Sequence, residues 1–249
     1  MKILITGANG YIGRRLIPVL LEQGHELFCC VRDKARFDWH QRHERLHTIE
    51  VDFLKAESPP AFPQDLDVAF YLIHSMNSVI GDFAAPERQS AHQFCKLLEQ
   101  TRCRQIIYLS GIVNEKNLST HLSSRLAVEQ ILRAGRIPCT VLRAGIVVGS
   151  GSASFEIVRD LVEKLPVMIA PKWLQTRGQP IAIRNVIQFL TGVMLREETY
   201  NHDSDIGGPE VLTYRQMLTQ FAEVRELRRL IITVPVMTPR LSSYWLYFI

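Results

Sequence analysis

Cysteine is scarce and unpatterned: five residues in a chain of 249, with Cys29 and Cys30 adjacent and Cys95, Cys103 and Cys139 isolated. No CxxC spacing or metal-like cluster appears, which excludes a zinc site or a disulfide framework. Such a scattered, odd set suits buried thiols in a reducing compartment, so a cytoplasmic location is expected. Charge of one sign is also scarce. The formal excess is only +4, and its densest basic spot, Arg225, Arg228 and Arg229, is interrupted by Glu226. That reads as a solvated helix end rather than a phosphate track, so no nucleic acid partner is expected. No long apolar run is free of breaks. The last twenty residues are apolar, but Pro235, Pro239 and Arg240 make them a poor membrane span. Met1 and Lys2 lead straight into an apolar stretch, so no cleavable signal is expected. Repeats and low-complexity segments are missing as well. What remains is an ordinary globular composition, 47% hydrophobic and 22% charged. Its length permits one large α/β domain, alone or with a small lobe.

Short apolar runs alternate with helical periodicity over the first 150 residues. Strands are expected at 2–6, 26–31, 47–51, 67–73, 105–109 and 139–142. Between them Ile12, Leu16, Val19 and Leu20 mark one helix face. Ala91, Phe94, Leu97 and Leu98 mark a second, and Leu122, Leu126, Ile131 and Leu132 a third. The stretch ESPPAFPQD before the fourth strand is too rich in proline for a helical crossover. This alternation calls for an α/β fold, a Rossmann-type doubly wound parallel sheet, over residues 1–150. After Gly149–Gly151 the rhythm changes. Helix faces at Phe155–Val162, Val186–Met194 and Met217–Phe221, and strands at 181–183 and 230–234, suggest a smaller C-terminal α/β lobe over 151–249. Asn185 reads as an N-cap for the helix at Val186.

The most informative segment is Gly7-Ala8-Asn9-Gly10-Tyr11-Ile12-Gly13. It follows the first strand and opens the first helix. Gly7 suits the tight turn, Gly10 lets backbone approach a pyrophosphate, and Gly13 lets helix and strand pack closely. The helix N-terminus then offers free N–H groups to the phosphates. A dinucleotide is therefore expected here, with Gly7, Asn9, Gly10, Tyr11, Ile12 and Gly13 as its binding turn. Arg32 stands after the second strand, where an NADP site places a cation for the 2′-phosphate and an NAD site an acid for the ribose. Arg14 lies close by. NADP is favoured, with NAD as the alternative if Arg32 is a solvated cation and Asp33 the ribose ligand. Asp52 and Phe53, after the third strand, are candidates for the adenine, an acid for its amine and a ring beside the base. Asp52 serves equally well as a turn residue.

GANGYIG at 7–13, Arg32, YLIHSM at 71–76, YLSGI at 108–112 and IGGPEVLTY at 206–214 together resemble the extended and atypical short-chain dehydrogenase/reductases. Among these, the NmrA-like NAD(P)-binding proteins and sugar-nucleotide epimerase relatives are nearest. The likeness covers nearly the whole chain. By position, His74 and Ser75 at the end of the fourth strand, with Leu72, are candidates to border the cofactor. The likeness implies that Ser110 and Gly111 face the nicotinamide, and that Ala144 and Ile146 line its pocket. The stretch RAGIVVGSGSASFEIV at 143–158 resembles a subgroup whose longer members carry a further C-terminal domain, which a chain ending at Ile249 is expected to lack.

Active members of this group place Tyr-x-x-x-Lys on the helix after that serine. Here the aligned positions are His121 and Arg125, one helical turn apart. A tyrosine, with its ordinary pKa near 10, needs a cation to act at neutral pH, whereas a histidine near 6.5 does not. Arg125 would bind ribose hydroxyls and oppose protonation of His121, leaving a base but a poor proton donor. Ser110, His121 and Arg125 are thus the catalytic candidates. The competing reading makes His121 a surface residue and pairs Arg125 with Glu129. Two functions follow: an NADP(H)-dependent oxidoreductase or isomerase of an unidentified small molecule, or a non-catalytic NADP(H)-sensing module with a protein partner. The apolar tail Tyr244–Ile249 fits a docking role in the second, or an end left bare by a missing domain.

Overall fold

The computed structural model describes residues 1–37, 39, 43–55, 60–73, 84–113 and 120–234. In chain order the elements are β1 (Lys2–Thr6), α1 (Tyr11–Glu22), β2 (Glu26–Val31), β3 (Leu46–Glu50), β4 (Val68–Tyr71), α2 (Ala84–Leu98), β5 (Gln105–Gly111), α3 (Thr120–Ala134) and β6 (Cys139–Ala144). There follow β7 (Val147–Val148), α4 (Ala153–Lys164), β8 (Val167–Pro171), β9 (Arg177–Gly178), β10 (Ile181–Ala182), α5 (Ile183–Gly192), β11 (Asp203–Ile206), β12 (Leu212–Thr213), α6 (Tyr214–Val224) and β13 (Leu230–Val234). They fall into two compact units, Met1–Ala144 with Arg184–Ile206, and Gly145–Ile183 with Gly207–Ile249. The stretch 184–206, which the sequence rhythm assigned to the second lobe, packs with the first unit.

The first unit is built on a seven-stranded sheet in the order β11-β6-β5-β4-β1-β2-β3, every pair parallel. All of β4 and β5 is buried, as expected of parallel strands covered on both faces. The strand order reverses between β1 and β4, and ligands of such sheets bind outside the strand ends at that switch point. Helix α1 buries Gly13, Leu16, Ile17, Leu20 and Leu21, one face at helical spacing. It stops at Gly24, whose φ of +84° only glycine adopts freely. Gly24 N donates to Leu21 O and His25 N to Leu20 O, the paired bonds that close a helix end. Among the described residues no helix joins β3 to β4, in keeping with the prolines there. Tyr71, Phe94 and Tyr108 form an edge-on aromatic cluster within the core.

Strand β11, with the sequence DSDI, has no apolar pattern and was not expected. It is held by pairing with β6 and by ion pairs. Asp203 meets Arg143 at 2.7 Å and Arg133 at 2.9 Å. Helix α5 begins at Ile183, so Asn185 lies inside it rather than capping it, and its Nδ2 donates to Gln188 Oε1.

The second unit packs α4, α6 and the parallel pair β8–β13 around Val162, Met168, Ala170, Leu174, Leu218, Ala222 and Ile231. Both helices start on strong caps. Ser152 Oγ accepts from Phe155 N, and Thr213 and Gln216 make a reciprocal capping box. Among the described residues no helix is long and apolar enough to cross a membrane.

Candidate functional site

The turn 7–13 is shaped by two close approaches. Gly7 has a φ of +66°, and a Cβ there would run into the Leu72 carbonyl, 2.8 Å from its carbon. A Cβ on Gly13 would lie 2.6 Å from Gly7 O, so the helix can start this close to the strand only with glycine. Gly10 differs. Its Cβ would meet only Gly7 O, at 3.1 Å, and otherwise project into open space. Gly10 N donates to Gly7 O, and Gly10 is also the N-cap of α1, where no side chain caps the helix. The first turn of α1 holds no acidic residue. The helix thus opens with its positive dipole end and no acidic side chain in its own first turn. This cradle fits a pyrophosphate.

Thr6 fixes the cradle to its neighbour strand. Its Oγ1 donates to Phe70 O and accepts from Leu72 N. The sequence reading passed over Thr6. A buried threonine closing an apolar strand just before the glycine turn was the available signal. Leu72 itself is buried and contributes backbone, while His74 lies outside the described residues.

Arg32 is exposed, immediately after β2, and among the described residues its guanidinium has no carboxylate partner. Asp33 is committed elsewhere. Its Oδ1 accepts from Ala35 N at 2.9 Å, capping a short 3₁₀ turn, and its Oδ2 lies 3.4 Å from Arg36. Arg14 folds back on the turn, its Nε donating to the Asn9 carbonyl. Asp52 Oδ1 accepts from Leu54 N, so the aspartate is a turn former, and among the described residues its second oxygen has no hydrogen-bond partner. Phe53 departs from expectation. Its ring is buried at 5% exposure and packs edge-on to Phe94 at 6.0 Å, so it is core and not a platform beside a base.

At the carboxyl end of β5, Ser110 Oγ is buried and has no hydrogen bond of good geometry among the described residues. A Cβ on the next residue, Gly111, would lie 2.9 Å from Arg125 Nη1. The Arg125 guanidinium therefore packs against the strand end that carries Ser110. Arg125 does not pair with Glu129. That carboxylate accepts from Arg143 Nη2 at 2.7 Å, Arg143 Nε at 3.2 Å and Arg133 Nη1 at 3.3 Å. His121 opens α3 one turn before Arg125; its side chain is not among those described. Tyr108 is not a substitute proton carrier. Burial pushes its phenol up to about 12, against the opposing pull of Ser110 and Arg125. The thiols are equally inert. Burial pushes Cys29 up to about 12 and Cys103 to about 11.

Ala144, the buried last residue of β6, stands beside Gly111 in the sheet. Ile146 belongs to the second unit, where it lines an apolar cavity. Among the described residues no cluster could hold a metal ion.

Comparison with known proteins gives this geometry a setting. An epimerase from the methanogen Methanothermobacter thermautotrophicus superposes with a TM-score of 0.75 at 15% identity, covering 95% of this chain and 80% of its own. The UDP-glucuronic acid 4-epimerase of Bacillus cereus, in complex with NAD, gives 0.72 at 18% identity, with 94% and 86% covered. A short-chain dehydrogenase/reductase superfamily protein from Agrobacterium tumefaciens with bound NAD gives 0.72 at 13%, with 94% and 85% covered. At such identities the likeness is one of fold. The sequence itself matches the family described as NAD(P)H-binding over residues 7–163, more than half of the chain and inclusive of the whole glycine turn. The chain belongs to the NAD(P)H-binding family, on the fold of the short-chain dehydrogenase/reductases and epimerases.

Proposed function

We propose that this protein is an NADP(H)-dependent oxidoreductase or isomerase of a small molecule. The observation that carries the choice of NADP is the division of labour between Arg32 and Asp33. The arginine is exposed and, among the described residues, without a carboxylate partner, while the aspartate caps its own turn and lies beside Arg36. A free guanidinium suits a 2′-phosphate through charge-assisted, bidentate hydrogen bonds. The backbone of Gly7, Asn9, Gly10, Tyr11, Ile12 and Gly13 would hold the pyrophosphate, and the free oxygen of Asp52 would accept from the adenine amine. Leu72, His74 and Ala144, with Ser110, would border the nicotinamide. Nicotinamide, when bound, supplies or accepts a hydride. Ser110 brings a buried hydroxyl to that end, Arg125 a cation for ribose hydroxyls, and His121 a base.

A second reading is a cofactor-sensing module without turnover. The replacement of Tyr-x-x-x-Lys by His121 and Arg125 favours it. Titration with NADPH and NADH, followed by NADPH oxidation against carbonyls, enones and quinones, separates the two. Tighter NADPH binding with oxidation by at least one class supports the enzyme. Tight binding with no oxidation across the panel overturns the oxidoreductase reading; an isomerase returns its hydride and shows no net oxidation, so the module is favoured only if no panel compound is isomerised either.

A further inference from the structure

The second unit holds a cavity of about 520 Å³ formed within itself, between α4, α6 and the 3₁₀ turn Lys172–Gln175. Its walls are aliphatic and aromatic, including Val158, Met217 and Phe221, and among the described residues no charged one lines it. The polar exceptions are Ser154, Gln220 and Tyr214. Trp173 stands edge-on to Tyr214 at 5.5 Å and makes an aromatic wall. At the mouth, three large apolar side chains stay in water: Ile157 at 54%, Trp173 at 57% and Val224 at 80% exposure.

We propose that this cavity binds an uncharged, largely apolar small molecule of drug-like size, carrying a carbonyl or hydroxyl. The size and lining are those of a small-molecule pocket, apolar with a few polar groups to set orientation. Charge complementarity decides the ligand class. A sugar nucleotide brings a diphosphate, and described walls without lysine or arginine give its charges nothing in exchange for lost water. An apolar ligand gains from the same walls and covers the exposed rim. The three polar side chains could satisfy one carbonyl or hydroxyl. Calling this molecule the substrate rests on the oxidoreductase reading, whereas its binding does not.

The test is a fluorescence titration of the full chain with N-phenyl-1-naphthylamine, a neutral apolar probe, with UDP-glucose as competitor. We expect saturable one-to-one binding that UDP-glucose does not displace. Val158→Trp, which fills the cavity, and Ile157→Asp, which places a charge at its mouth, should each weaken the probe about tenfold or more. Their NADPH affinity should be unchanged. Ile157 is exposed enough that its variant keeps the test decisive even where Val158→Trp does not fold. The proposal is overturned by non-saturable binding, by displacement with UDP-glucose, or by variants that bind the probe like the parent. Saturable, variant-sensitive binding without any NADPH oxidation supports the pocket while removing the oxidoreductase reading.

Discussion

Gly7 and Leu72 approach backbone to backbone, close enough that any side chain on Gly7 would collide with the Leu72 carbonyl, its Cβ 2.8 Å from the carbonyl carbon. The contact joins the end of β1 to the end of β4, at the point where the strand order reverses. Gly7→Ala must therefore move two strand ends as well as adopt a left-handed backbone, which alone costs about 1–2 kcal/mol. Gly10→Ala meets only Gly7 O, at 3.1 Å, and replaces glycine at a helix N-cap, a milder cost. We expect Gly7→Ala to lower the melting temperature strongly and abolish NADPH binding, and Gly10→Ala to lower it much less while losing NADPH affinity. A thermal melt beside a fluorescence titration reads both. A Gly10→Ala protein with undiminished affinity would remove the turn as the phosphate site.

Arg32→Ala should weaken NADPH by about 2 kcal/mol, roughly thirtyfold, the worth of hydrogen bonds to a charged group. NADH should be unaffected. Asp33→Ala should cost about 1 kcal/mol of stability as a lost cap, with NADPH affinity retained. Parallel isothermal titrations would show it. Equal losses for both cofactors in Arg32→Ala would refute the 2′-phosphate assignment.

Ser110 offers a test that opposes stability to function. Its buried hydroxyl without a well-formed hydrogen bond carries a desolvation cost, so Ser110→Ala should leave stability unchanged or raise it by about 1 kcal/mol. If Ser110 serves the nicotinamide end, turnover of any accepted substrate should fall in the same protein. Chemical denaturation and steady-state rates, measured together, give the two answers. A variant that is destabilised would mean that the hydroxyl has a structural partner.

Glu129 is the buried hub of an ion network, with Arg143 and Arg133 as its partners and Asp203 bridging both arginines. Glu129→Gln leaves two guanidinium groups short of a counter-charge and should cost about 3 kcal/mol. Asp203 is partly exposed, and its variant to Asn should cost only about 0.5 kcal/mol. Hydrogen bonding from Arg133, aided by the charge of Arg143, holds the Asp203 carboxyl below its ordinary value of 3.8. Its contribution is thus present above about pH 3.8 and is lost as pH falls through the lower, folded-state value. Urea unfolding at pH 7 and pH 3 should show the gap between parent and Asp203→Asn closing in acid.

The glycine turn, α1 and the six principal strands were legible because each has a strong local pattern. Continuous apolar runs fill β4 and β5, and Gly24 marks the end of α1. Strand β8, the short apolar run VMIAP, was passed over, and other elements that escaped had no such pattern. Strand β11 is mostly polar and exists because β6 and two arginines hold it. Asn185 looked like a cap only because helix α5 starts earlier, on Ile183. Phe53 looked available for a base because a motif position does not tell which way a ring turns, and burial against Phe94 decided that.

By itself, then, the sequence determined a parallel α/β sheet opening on a phosphate turn, since strand periodicity and glycine spacing are local properties of the chain. Tertiary structure alone decided which charges remain available. Asp33 is withdrawn by a turn it caps itself, and Glu129 is claimed by arginines from β6 and α3 rather than by Arg125. Arg32 is left in water, and Arg125 is laid against Gly111. Those outcomes depend on which groups meet through space, and a carboxylate's partner is set by distance and desolvation rather than by its spacing along the chain.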